Sequence, residues 1–274
     1  MESQFRILTW NCRQATQGSP AWDYLCELAP DVALLQEVSA IPPNIKREFD
    51  FRQKRAIGKS GTPQRFDSAV LVRGTIGRQL PILSPHDWVN AELERFAGNL
   101  LAFEALLERG PRLNVVGVHN PHWPVERSRL AGVDVNPIKL TLAPDVWVAD
   151  LLWASLSSVD LKPQDLWVVA GDFNLSETFD DAWPGGPHGN REYLDRMTAL
   201  GMTECLRKMK GQLTPTFKNP RGGKISHQID HLFVTEPLVH RLLSCDTGDP
   251  ERVFGGSLSD HLPIVADFVV HQLE

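Results

Sequence analysis

The stretch Leu166-Trp167-Val168-Val169-Ala170-Gly171-Asp172-Phe173-Asn174 decides how the chain is read. A short run of β-branched and apolar residues bounded by Gly171 reads as a strand buried on both faces, the kind that lies inside a layered α/β fold. It ends by delivering Asp172 and Asn174 to a loop, where such folds carry their functional groups. Alternation along an extended backbone points both side chains to one side, so that a carboxylate and a carboxamide converge. Taken alone, the same residues also describe an Asx turn closing a buried strand.

Other strand ends carry matching chemistry. Residues 5–10 read as a strand ending at Asn11-Cys12-Arg13. Pro20 opens a helix whose Trp22, Leu25 and Leu28 share a face, and Pro30 closes it. Residues 31–35 form a second buried strand that ends in Gln36-Glu37. Residues 66–72, 100–107 and 112–118 are further strands, and the last of these ends at His119-Asn120. The middle one has helical propensity, but Gly98 and Gly110-Pro111 bracket it as a hairpin arm. From Pro121 to Pro144 there is no period, which marks a candidate substrate loop or lid. Asp145 is expected to cap a helix from Val146 to Val159. Beyond the central strand come a Gly/Pro loop around Trp183, a helix from Arg191 to Leu200, and a basic segment containing Thr214-Pro215-Thr216-Phe217. A strand follows with Asp230 near its start, then a candidate strand from Arg241 to Cys245. The chain closes with Ser259-Asp260-His261-Leu262-Pro263 and a last strand, Ile264 to Val270.

With 274 residues, 42% hydrophobic and 23% charged, the chain has ample material for a core. No repeat, low-complexity tract or linker divides it, so residues 1–274 are expected to form one domain. Cys12, Cys26, Cys205 and Cys245 are far apart and form no CxxC pair, which argues against a disulfide framework or a zinc site. The amino terminus lacks a basic region followed by an apolar run, and no apolar stretch approaches the roughly 18 residues of a membrane span. A cytoplasmic protein with no membrane association and no obligate protein partner is the expectation. The net charge of −6 argues against a protein that coats nucleic acid. The distribution points the other way: residues 46–65 hold seven basic residues and two acidic ones, and residues 205–224 hold six basic residues and no acid. Solvated surface explains one such cluster, whereas two in an acidic chain suggest a polyanionic substrate.

Collected, the strand-end residues are Asn11, Glu37, His119, Asp172, Asn174, Asp230, Asp260 and His261. Carboxylates, carboxamides and imidazoles with no cysteine make a hard, oxygen-rich set that suits Mg²⁺ or Mn²⁺ better than zinc. Like charges gathered this closely call for a compensating cation.

The segments Thr9-Trp10-Asn11, Leu35-Gln36-Glu37, Val118-His119, Gly171-Asp172-Phe173-Asn174, Gln228-Ile229-Asp230-His231-Leu232-Phe233 and Ser259-Asp260-His261-Leu262-Pro263 resemble, in order, those of the endonuclease/exonuclease/phosphatase superfamily. The resemblance implies a four-layer α/β sandwich, two packed mixed sheets flanked by helices, with the site at one edge. It implies that Glu37 is the principal metal ligand, with Asn11 and Asp260 beside it. His261, oriented by Asp230, then contacts the scissile phosphate, while Asp172 positions or deprotonates the attacking water and Asn174 orients it. The pattern leaves open whether a His or an Asp is the base. His119 fills a slot held by Tyr in AP endonucleases and by His in deoxyribonuclease and phosphatase branches. Thr216 and Phe217 sit where relatives place substrate contacts, His227 lies near a motif strand, and Trp123 and Trp183 are placed to stack on bases. The expected activity is a metal-dependent phosphoesterase, foremost a nuclease cutting DNA or RNA. The alternatives are a phosphatase acting on a nucleotide, inositol phosphate or lipid headgroup, and a catalytically inactive binding scaffold.

Overall fold

The computed structural model of the protein describes residues 3–159, 162, 164–182 and 188–270. Its strands are β1 (Gln4–Ala15), β2 (Val32–Val38), β3 (Asp50–Ile57), β4 (Pro63–Val72), β5 (Gly74–Gln79), β6 (Leu100–Leu107), β7 (Arg112–His119), β8 (Trp167–Asp172), β9 (Met202–Glu204), β10 (Phe217–Lys218), β11 (Ile225–His227), β12 (Asp230–Thr235), β13 (Leu242–Thr247) and β14 (Ile264–Val269). The α-helices are α1 (Ala21–Leu28), α2 (Pro43–Glu48), α3 (Asp87–Arg95), α4 (Val148–Leu156), α5 (Glu177–Ala182), α6 (Asn190–Ala199), α7 (Cys205–Lys210) and α8 (Glu236–Val239).

Two six-stranded mixed sheets result, with orders β13-β14-β1-β2-β4-β3 and β5-β6-β7-β8-β12-β9. Each has a single parallel pair at its centre, β1 with β2 and β7 with β8, flanked by antiparallel neighbours. This arrangement places the site. The carboxyl ends of a parallel pair lie at one edge of the sheet, and the antiparallel neighbour begins at that same edge. Hence Asn11, Glu37, His119 and Asp172 emerge beside the starts of β12 and β14, which carry Asp230 and the Asp260-His261 turn.

The inner faces of the sheets pack on each other through Ile7, Leu34 and Val70 from one and Val115, Val168 and Leu232 from the other. The outer face of the first sheet is covered by α1 and α2, where Trp10, Leu35 and Leu71 meet Trp22, Leu25 and Ile45. The outer face of the second is covered by α4 and α6, where Val116, Val169 and Phe233 meet Leu152, Tyr193 and Met197. Every residue of β8 is buried, as a strand covered on both faces requires. Gly171 is needed there because a Cβ would stand 1.8 Å from the Val118 carbonyl oxygen of the neighbouring strand.

Two local expectations are corrected. The helix expected over 146–159 spans Val148–Leu156, and Asp145 does not cap it. The Asp145 carboxylate pairs with Arg127, and the amide of Trp147 instead donates to Asp150 Oδ2 at 2.8 Å. The segment after Pro121 is fixed to the body at several points. Arg129 forks onto the buried Glu92 of α3, Arg196 of α6 donates to the carbonyls of Ile138 and Lys139, and Thr141 donates to Glu192. It lines one side of a cleft beside Asn174. Among the described residues no helix is long and apolar enough to cross a membrane.

Candidate active site

The backbone bends where the site is built. Register shifts interrupt β1 between Asn11 and Ala15 and β2 between Leu35 and Val38, and irregularities of this kind re-aim side chains. Glu37 and Asn174 have φ of 52° and 50°. For Asn this left-handed conformation is tolerable, but for Glu it is strained and persists only where the surroundings enforce it. Trp10 donates its indole N–H to the carbonyl of His261 at 2.8 Å, which fixes the final turn against β1.

Asp172 is the hub. Its Oδ1 accepts from the Asn174 amide at 2.9 Å, and its Oδ2 accepts from Asn11 Nδ2 at 3.0 Å and Asn174 Nδ2 at 3.2 Å. His261 Nε2 lies 4.0 Å from that same oxygen, while its Nδ1 stands 3.0 Å from Asp230 Oδ2. Asp230 in turn accepts from the Thr216 hydroxyl at 2.6 Å. Asn11 Nδ2 also reaches Glu37 Oε1 at 3.4 Å, and His119 Nε2 lies 4.0 Å from that oxygen. Asp260 completes the rim, with Arg13 3.9 Å away.

The electrostatics follow from burial and from these neighbours. Burial pushes the Asp172 carboxyl up, and the adjacent His261 charge opposes that rise. Burial works against a charge on His261, but Asp230 and Asp172 outweigh it and raise the imidazole to about 10. For His119, burial together with repulsion from His261 and His122 prevails over Glu37, 4.0 Å away, lowers the imidazole to about 3 and keeps it neutral. Glu37 is raised by burial and by the like charge of Asp260, against the Asn11 hydrogen bond and His261.

Sequence reasoning and structure differ in several details. The acidic and imidazole atoms that lie within 4.8 Å of one another, among the described residues, belong to Asp172, Asp230 and His261 rather than to a group containing Glu37 and Asp260. The His261–Asp230 hydrogen bond accounts for that closeness, and the Asn11 carboxamide oxygen is taken by the Arg13 amide at 3.0 Å. Thr216, expected to touch substrate, is 0% exposed and spends its hydroxyl on Asp230. Phe217 does reach the site, its ring 4.9 Å from that of His261. His227 is engaged by the Thr178 hydroxyl at 2.7 Å and lies against Phe179. Trp123 packs edge-on against His122, with its indole nitrogen buried and without a hydrogen-bond partner among the described residues. Trp183 lies outside the described residues.

Two site neighbours escaped the sequence reading. Ser259 donates to the Asn11 carbonyl at 2.7 Å and accepts from the His261 amide, which ties the final turn to β1. Asn120 accepts from Asn174 through its backbone oxygen and donates through Nδ2 to the Phe173 carbonyl. Each stands directly beside a motif residue, and that adjacency was the only available signal.

The donor set fits a hard divalent cation. Burial and the like charge of Asp260 raise the cost of charge on Glu37, Arg13 and His261 offset only part of it, and the donor atoms are oxygens. Such a cation would be held by Glu37, with Asp260 and Asn11 adjacent.

A model of the Endonuclease/Exonuclease/phosphatase family matches residues 8–261. No curated protein matches significantly. Among solved structures, the 3′ phosphatase NExo from Neisseria bound to a product DNA hairpin is 18% identical, with TM-score 0.64 over 96% of this chain and 99% of that one. An AP endonuclease from Archaeoglobus fulgidus is 16% identical, with TM-score 0.65 over 96% and 99%. The catalytic domain of Xenopus laevis APE2 is 14% identical, with TM-score 0.67 over 98% and 94%. These structures share the two-sheet sandwich. The family match begins before the first motif strand end and closes at His261, so it takes in every strand end that builds the edge described above, and the chain belongs to the endonuclease/exonuclease/phosphatase family of phosphoesterases.

Proposed function

We propose that this protein is a divalent-metal-dependent nuclease that hydrolyses DNA or RNA phosphodiesters by in-line attack of water. The observation that carries this reading is a cationic hairpin joined directly to the site. Phe217 of β10 bridges to His261, and the Lys218 amide donates to the Asp260 carbonyl at 2.8 Å. Lys218, Arg221 and Lys224 on this hairpin form no ion pair among the described residues, so their charge is available to a polyanion. Other basic residues of the two clusters are neutralised: Arg52 by Asp50, Arg55 by Asp67, Arg207 by Glu177 and Lys210 by Asp246. One of the structural relatives named above is bound to a product DNA hairpin and another is named an endonuclease, which agrees with a polynucleotide substrate.

The residues divide the chemistry. Glu37, with Asp260 and Asn11 beside it, would hold a divalent cation, which would supply positive charge against the negative charge that builds on the phosphoryl oxygens. His261, held protonated by Asp230, donates a hydrogen bond to a non-bridging phosphoryl oxygen. Asp172, raised toward neutrality by burial and aimed by Asn11 and Asn174, accepts the proton of the attacking water. His119 is neutral and donates or accepts a hydrogen bond without adding charge.

End-labelled single-stranded DNA, duplex DNA, abasic duplex and single-stranded RNA, each with Mg²⁺, Mn²⁺ or EDTA, test the reading. The expected result is metal-dependent cutting that weakens steeply as salt rises. The small-substrate alternative is favoured by one observation, a cleft of about 260 Å³ beside Asn174. Intact polymers together with phosphate release from nucleotides or inositol phosphates would replace the nuclease reading with that one.

Thr216→Val checks the positioning chain. Removing the hydroxyl leaves Asp230 with one hydrogen bond fewer while keeping shape and burial, so kcat is expected to fall roughly tenfold with KM nearly unchanged. A change confined to KM would remove Thr216 from the Asp230–His261 pair.

A further inference from the structure

We propose that the cleft beside Asn174 is a pocket for the nucleobase of the nucleotide at the scissile phosphate; this rests on the nuclease reading and names its substrate as one whose base is free to leave the stack. The cleft encloses about 260 Å³ between the segment after Pro121, α4 and α6. That falls just below the roughly 300 Å³ at which pockets for drug-sized ligands begin, so it admits a single ring system rather than a whole nucleotide. Leu140, Ala143, Trp147 and Phe179 supply apolar and aromatic walls. Asn174 belongs to both places: it lines the cleft, and its Nδ2 contacts Asp172 Oδ2 at 3.2 Å. A phosphate at the cluster therefore sits next to the mouth.

The lining identifies the occupant. Asn174 and Asn190 bring side-chain amides to the cleft beside its aromatic walls. A nucleobase offers a flat apolar face to Trp147 and Phe179, with ring and exocyclic donors and acceptors at its edge for such amides. An acyl chain would fill the same walls and set apolar surface against the amides. Extruding a base costs unstacking energy, least for single strands and frayed ends, so those are the substrates expected.

The test compares two single-stranded oligonucleotides identical except that one carries 2-aminopurine and the other a tetrahydrofuran residue at one central position. Binding is measured with EDTA present so that no cleavage occurs. The unmodified protein is expected to bind the base-bearing strand about tenfold more tightly, with a change in 2-aminopurine emission. Ala143→Phe fills the cleft and is expected to abolish both the preference and the emission change while keeping affinity for the baseless strand. Equal affinity of the unmodified protein for the two strands would overturn the pocket, as would an Ala143→Phe variant that retains the preference. Cleavage of the same strands with Mg²⁺ is scored separately, so a base preference without any cutting sinks the nuclease reading and leaves the pocket standing.

Discussion

Replacing Asp172 by Asn is expected to lower kcat for phosphoester cleavage by about 10²–10⁴-fold, the range that loss of a positioned general base produces. The fold is expected to survive. Asp172 is 2% exposed and its carboxyl is raised chiefly by burial, so its ionised form at neutral pH opposes folding. An amide removes that buried charge. It retains one oxygen to accept from Asn11 or Asn174, but it sets its own NH₂ against the donors that now share Oδ2. Loss of a hydrogen bond and relief of a buried charge work in opposite directions, and the unfolding temperature at pH 8 is expected to stay close to that of the unmodified protein. Steady-state kinetics and a thermal melt on one preparation decide the matter. Activity within tenfold of the parent would take Asp172 out of the chemistry. A folded variant that has lost kcat also disposes of the inactive-scaffold alternative, since the parent must then turn over.

The buried runs and strand ends were legible because they depend on local pattern. Residues 32–35 and 166–170 are apolar without interruption, as covering on both faces demands, and each ends in the polar residue that the central parallel pairs present at one edge. What eluded the sequence was decided by partners distant in the chain. Asp145 has the form of a helix cap, yet Arg127, eighteen residues earlier, takes its carboxylate. Thr216 sits in a Pro- and Lys-containing segment that reads as surface, but the β10–β11 hairpin turns its hydroxyl inward to Asp230. Charge counting likewise overstated the basic face, because Asp67 and Asp246, from other strands, neutralise Arg55 and Lys210. Patterning specifies which face is buried, whereas side-chain pairing across the fold specifies which polar groups remain free for a ligand.

Asp150 carries the largest expected effect on stability. It lies in the first turn of α4, fully buried, with Oδ2 on the Trp147 amide and Oδ1 without a partner among the described residues. Burial raises the carboxyl to about 7, while the Trp147 hydrogen bond and Arg196 pull it back. The folded value therefore exceeds the unfolded one, near 3.9. The folded state binds the proton more tightly, so the stabilisation is fully present below about pH 4 and is lost as pH rises through about 7. Such a shift corresponds to roughly 4 kcal/mol in all, more than half of which falls between pH 5 and pH 8. Asp172 loses stability over the same window, so the test is a difference between two proteins. Asp150→Asn keeps an oxygen for the Trp147 amide and does not titrate. Denaturant unfolding is expected to show a shallower decline from pH 5 to pH 8 in the variant, which ends the more stable of the two at pH 8. Parallel pH profiles would mean that the carboxyl is already satisfied in its ionised form, with a partner such as an ordered water at Oδ1. Since α4 also forms a wall of the cleft beside Asn174, the same titration links the stability of that wall to pH.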